Sequence, residues 1–169
     1  RIICFFILLV NNVCYCPLAD GSHTIKIDAS DFDGNAATQK TVTFKIDTVP
    51  PTLSITAPAD KLVTNKTAVT VTGTTNDATS SPVTVTVKLN SGTAETVTVG
   101  SDGTFSKALT LVTGTNTITV VAKDSAGKTT TVTRTVTVDT TAPVIKSVTI
   151  NPNPVDCGKT YVISVEVTD

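Results

Sequence analysis

The sequence predicts an all-β chain of tandem two-sheet sandwiches, one complete and flanked by two partial ones. Three observations carry that expectation. Threonine accounts for 36 of the 169 residues, and β-branched side chains suit a pleated surface while losing rotamer freedom in helices. Short runs alternate strictly between apolar and polar residues, the period-2 pattern of a half-buried strand. The chain also repeats itself at a spacing of 92 to 93 residues.

Three anchors in the same order establish the repeat. Leu18-Ala-Asp-Gly-Ser-His-Thr-Ile25 matches Leu111-Val-Thr-Gly-Thr-Asn-Thr-Ile118, and Asp31-Phe-Asp-Gly34 matches Asp124-Ser-Ala-Gly127, both at an offset of 93. Ile46-Asp-Thr-Val-Pro-Pro51 matches Val138-Asp-Thr-Thr-Ala-Pro143 at 92. The one-residue slip falls between the glycine and the last strand, where a hairpin loop absorbs it. The period divides the chain into residues 18–47, the C-terminal part of one unit; 52–139, a complete unit; and 144–169, the opening of a third. Thr48-Val-Pro-Pro51 and Thr140-Thr-Ala-Pro143 join them. Proline fixes φ and biases the preceding residue toward extended backbone, so these linkers are expected to be short and stiff.

Seven strands are expected in the complete unit: Leu53–Thr56, Ala68–Thr72, Val83–Leu89, Thr96–Val99, Phe105–Leu111, Asn116–Ala122 and Thr130–Val138. Turn signals separate several of them, at Asn90-Ser-Gly92, Ser101-Asp-Gly103, Thr113-Gly114 and Ala126-Gly127. Seven short strands with turns every 8–12 residues are the pattern of an immunoglobulin-like sandwich. One residue breaks the alternation: Arg134 has the core parity of Val132 and Val136, where the earlier copy has Val42. It is expected near a sandwich end, stem packed and head in water, or at a bulge.

Composition excludes some classes of function. Thirteen Lys and Arg balance fourteen Asp and Glu, without the basic stripe of a nucleic-acid binder. Residues 1–17 begin with Arg1 and nine apolar residues, too few for a membrane span and similar to the apolar stretch of a signal peptide. A strand fragment or a gene-model artefact fits this segment as well. Three of the four cysteines (Cys4, Cys14 and Cys16) lie in it, and Cys157 stands alone. Their spacing lacks the paired C-x-x-C of a zinc ribbon. Incomplete units at both ends read as a piece of a longer protein, whose bare strand edges and apolar faces invite association.

Gly103-Thr-Phe105, Leu111 to Ile118, Ala122-Lys-Asp124 with Gly127, and Val138-Asp-Thr-Thr-Ala-Pro143 together resemble the bacterial immunoglobulin-like (Big-type) tandem repeats of surface adhesins and secreted multidomain enzymes. The resemblance covers nearly all of residues 18–143. Residues 144–169, with Asn151-Pro-Asn-Pro154, look like a related subtype. It implies a non-catalytic, extracellular spacer whose partners are neighbouring repeats, with cell-surface or polysaccharide ligands as further partners. The alternative is an accessory module of a secreted polysaccharide-active enzyme, weakly carbohydrate-binding. Two tyrosines and no tryptophan speak against an aromatic sugar platform.

Chemistry is sparse. The one histidine, His23, occupies the turn position of Asn116 in the other copy, a structural place. No phosphate-cradling glycine loop and no nucleophile elbow occur, so no enzyme is expected. Asp31-Phe-Asp-Gly-Asn35 offers Asp31, Asp33 and Asn35 as candidate calcium ligands beside a glycine turn. A plain hairpin turn that uses Asp, Gly and Asn for their backbone preferences explains the same residues. The resemblance also implies calcium where one repeat meets the next, which makes Asp47 and Asp139 candidates, joined in the first copy by Asp31, Asp33 and Asn35. Strand ends hydrogen-bonded to the linker are the alternative. Asn65-Lys-Thr67 fits the N-glycosylation pattern.

Overall fold

The computed structural model describes residues 18–151, 153–154 and 156–169. The leader-like segment 1–17, with its three cysteines, lies outside the described residues. The described chain is all-β, with no helix, in twelve strands. No helix among the described residues is long and apolar enough to cross a membrane.

The first piece is an antiparallel hairpin of β1 (Gly21–Ile27) and β2 (Lys40–Ile46), in register from Gly21↔Ile46 to Ile27↔Lys40. Next comes the complete sandwich. Its strands are β3 (Thr52–Ala57), β4 (Leu62–Thr64), β5 (Ala68–Asn76), β6 (Thr84–Leu89), β7 (Glu95–Val97), β8 (Thr104–Thr110), β9 (Gly114–Lys123) and β10 (Thr129–Val138). They form a three-stranded sheet in the order β3-β5-β8 and a five-stranded sheet in the order β4-β10-β9-β6-β7. A final hairpin pairs β11 (Val144–Asn151) with β12 (Val162–Thr168).

Alternation sets the core. Ile55, Val71 and Phe105 from the smaller sheet meet Val85, Val87, Val97, Ile118, Val120, Ala122, Val136 and Val138 from the larger one. Threonine on the other parity faces outward, as on β9 and β10, where Thr115, Thr117 and Thr119 pair with Thr137, Thr135 and Thr133. Eight strands stand where seven were expected. The extra one, β4, is three residues long and shows too little alternation to be read. The chain leaves the smaller sheet after β3, and β4 then pairs parallel with β10, Val136↔Leu62 through Val138↔Thr64. The first strand is thus divided between the two sheets.

The internal repeat is exact in register. Ile25↔Val42 in the first hairpin corresponds to Ile118↔Arg134 in the sandwich. The slipped residue lies between Ala36 and Lys40: Ser30 bridges Ala36 while Ile27 pairs Lys40, three residues on one strand against four on the other. A local clamp is repeated too. Asn116, fully buried, donates from Nδ2 to the Val112 and Gly114 carbonyls at 2.7 and 3.0 Å and accepts from the Val112 amide at 3.0 Å. His23 stands at its position and lies 2.7 Å through Nε2 from the Ala19 carbonyl, again four residues back.

Arg134 departs from expectation. Its half-buried head is bonded to protein: Nη2 donates to the Ile55 carbonyl at 3.3 Å, and Nε is buried without a partner. The accepting carbonyl lies at a bulge in β3 between Ile55 and Ala57. The third piece repeats the opening of the sandwich, since Val144↔Thr168 stands where Thr52↔Asn76 stands. Its Ile145, Val148, Ile163 and Val165 are all more than half exposed.

Candidate metal centre at the first junction

Asp47 directly follows β2, and the linker after it is held on both sides. Asp47 Oδ1 accepts the Val49 amide at 3.1 Å. Thr48 is tied back by its amide and hydroxyl to the Asp20 carboxylate at 2.9 to 3.1 Å. Pro51 is fully buried, and its carbonyl accepts the Thr130 hydroxyl at 2.5 Å. The stiff linker read from the prolines is therefore also a bonded one.

Two loops of the sandwich meet Asp47. Asp77 ends β5, and its Oδ1 accepts the Thr79 and Ser80 amides at 2.8 and 2.7 Å. Asp124 ends β9. Its Oδ1 accepts the Lys128 amide at 2.8 Å, inside a five-residue turn closed by Asp124 N–H to the Lys128 carbonyl at 3.1 Å. The Ser125 amide donates to the Ser80 carbonyl at 3.2 Å and fastens the two loops together. Asp47, Asp77 and Asp124 each place a carboxylate oxygen within 4.8 Å of the others.

The pattern of satisfied and unsatisfied oxygens is the informative feature. One oxygen of each carboxylate is fixed by a backbone amide. The Oδ2 atoms of Asp47 and Asp124 are buried and have no partner, and Asp124 is only 4% exposed. A buried, unpaired carboxylate oxygen is costly, and three ionised carboxylates brought this close repel. Among the described residues the one ion pair is Lys107–Glu95 at 2.6 Å, so no side-chain cation neutralises the trio. A hard divalent cation would: calcium takes six to eight oxygens at 2.3–2.6 Å, and three convergent carboxylates supply the charge and half the shell. The residues present fit such an ion.

The structure brings together one of the five candidate ligands with two residues not singled out for it. Asp47 is in the cluster. Asp31, Asp33 and Asn35 lie at the far end of the β1–β2 hairpin, seven paired rows from Asp47, on the order of 20 Å away at about 3.3 Å per residue. The five residues therefore do not make one site. Asp31 is occupied locally: Oδ1 accepts the Asn35 amide at 2.7 Å and Oδ2 the Asn35 side-chain amide at 2.8 Å. Those bonds hold its carboxyl below the usual range. Asp139 ends β10 as Asp47 ends β2, with Oδ1 accepting the Thr141 amide at 2.9 Å, and this bond lowers its pKa.

Asp124 and Asp77 were hidden for different reasons. Asp124 is the register equivalent of Asp31, and its turn has Ala126 where the first copy has Asp33 and Lys128 where it has Asn35. Replacing Asn35 by Lys128 is what leaves Asp124 Oδ2 free. Asp77 has no local signature. The available signal was the third piece, where Asp169 follows Thr168 as Asp77 follows Asn76.

An eight-stranded two-sheet sandwich with repeated flanking hairpins and a polar junction defines an immunoglobulin-like repeat. Residues 51–140 match the family model described as glucodextranase, domain B, just over half of the chain. The chain belongs to that family. The match supports the immunoglobulin-like part of the resemblance read from the sequence and not its Big-type assignment. No curated protein matches the chain. Among solved structures, a tetra-tandem repeat in the extending region of a large adhesion protein is 24% identical, with a TM-score of 0.45, covering 88% of this chain and 46% of that one. An engineered protein is 23% identical, with a TM-score of 0.42, covering 53% of this chain and 20% of that one. The chain thus spans less than half the length of either structure.

Proposed function

We propose that the chain is a non-catalytic segment of an extracellular array of immunoglobulin-like repeats, acting as a spacer whose junctions are stiffened by calcium. The observation that carries this reading is the cluster of Asp47, Asp77 and Asp124. It joins the strand before the linker to two loops of the next repeat, so an ion held there resists bending between them. Asp139 and Asp169 are the register equivalents of Asp47 and Asp77 and would serve the next junction in the same way.

Thermal unfolding with and without the ion tests this. An ion that binds only the folded chain stabilises by about 2.7 kcal/mol at a hundred times its dissociation constant. The melting temperature of the 169-residue chain is expected to rise with calcium, return with EDTA, and stop responding in Asp124→Asn. A melt indifferent to millimolar calcium removes the ion from the account.

A second reading, an accessory module of a secreted polysaccharide-active enzyme, is favoured by the family match to glucodextranase domain B. In that setting the same sandwich would hold a catalytic domain or bind glycan weakly.

A further inference from the structure

The sandwich carries an open groove beside the metal cluster, with Asp77 common to both. It lies between the end of β5, the loop to β6, the start of β6, and the β7–β8 turn, with a volume of about 640 Å³, within the range of small-ligand sites. Asp77 and Asp102 stand on its walls with Thr74, Asn76 and Ser81, beside the apolar Pro82, Val83 and Val99.

The polar groups divide into fixed and free atoms. Asp102 Oδ1 accepts the Thr104 amide at 3.0 Å and its hydroxyl at 2.7 Å, and those bonds keep the carboxyl ionised to lower pH than usual. Asp77 Oδ1 is fixed by two amides. The second oxygen of Asp102, the Asn76 side-chain amide and the Thr74 and Ser81 hydroxyls have no hydrogen-bond partner among the described residues, while the Asp77 carboxylate is shared with the metal cluster. The groove therefore presents oriented acceptors, an amide that both donates and accepts, and two hydroxyls, beside an aliphatic strip.

That chemistry selects its ligand. Two carboxylates with no lysine or arginine in the lining repel phosphates, uronates and nucleic acid. An apolar ligand would leave the carboxylates and the amide dehydrated and unpaired. A neutral sugar satisfies both halves: its hydroxyls donate to the Asp102 carboxylate and pair with the Asn76 amide, and its C–H face lies on Pro82, Val83 and Val99. We propose that this groove is a subsite for a neutral saccharide. The inference rests on the accessory-module reading and gives it a location. Without an aromatic platform the affinity belongs in the millimolar range, and a single repeat would add to the hold of a larger assembly by avidity.

The test uses the 169-residue chain, retention on cross-linked dextran beads, and amide chemical shifts during titration with isomaltotetraose, a soluble piece of the same glucan. Shifts are expected at residues 74–77, 81–84 and 100–103. Asn76→Ala and Asp102→Asn, both outside the metal trio, are expected to weaken binding at least about fivefold while leaving the fold intact, the loss of one or two hydrogen bonds. If both variants are retained as well as the parent, or the shifts map to another face, the groove is refuted and the accessory reading survives. If the chain neither shifts nor is retained, both fall. If a lysine decapeptide shifts the groove and the sugar does not, the site is for cationic groups and the saccharide assignment is overturned.

Discussion

Asn116 shows how much of this fold rests on single polar side chains. It is fully buried in an otherwise apolar strand face, and its amide ties the β8–β9 loop through three backbone bonds and meets Asn90 Nδ2 at 3.3 Å. Asn116→Ala leaves those backbone groups unpaired and opens a small void, an effect of about 2–4 kcal/mol. Urea unfolding is expected to show a midpoint shift of that size with an unchanged slope. A shift under about 0.5 kcal/mol, the scale of a neutral surface change, would mean that water replaces the clamp. The sequence aligned His23 with Asn116 and so gave the position away, though not the bonds. Arg134 was legible as an anomaly only. Its partner is a backbone carbonyl at a bulge in β3, and no side-chain pattern encodes that.

At the scale of elements, alternation revealed the strands because each has one buried face. It failed where a strand is too short to alternate, as in β4, and where glycine replaces a core side chain. Gly73 is such a place. It extends β5 past its expected end at Thr72, and a Cβ there would lie 2.3 Å from the Ser54 carbonyl oxygen and 2.7 Å from Phe105 Cζ. The first contact is with backbone and cannot rotate away, so β3 and β5 would have to separate. Gly73→Ala is expected to destabilise the sandwich by about 2–3 kcal/mol, the range for overpacking a tight core, read as a fall in melting temperature. An unchanged melt would show that the β3–β5 spacing is loose, contrary to the burial of Ile55, Val71 and Phe105 between the sheets.

At the scale of the whole chain, the repeat period and linkers were readable, because prolines and strand-ending aspartates recur at fixed offsets. The junction site was half readable. Asp47 sits beside the linker in sequence, whereas Asp77 and Asp124 lie 30 and 77 residues further on and reach it only when β5 and β9 end at the same edge of the sandwich. The decisive measurement is isothermal titration of calcium into the parent chain, Asp124→Asn and Asp47→Asn. A site that spans the junction loses its binding heat in both variants, because the ion needs the carboxylate of the preceding repeat as much as the buried one of the next. Unchanged binding in Asp47→Asn, alongside loss in Asp124→Asn, would place the ion within one repeat and contradict the stiffened junction.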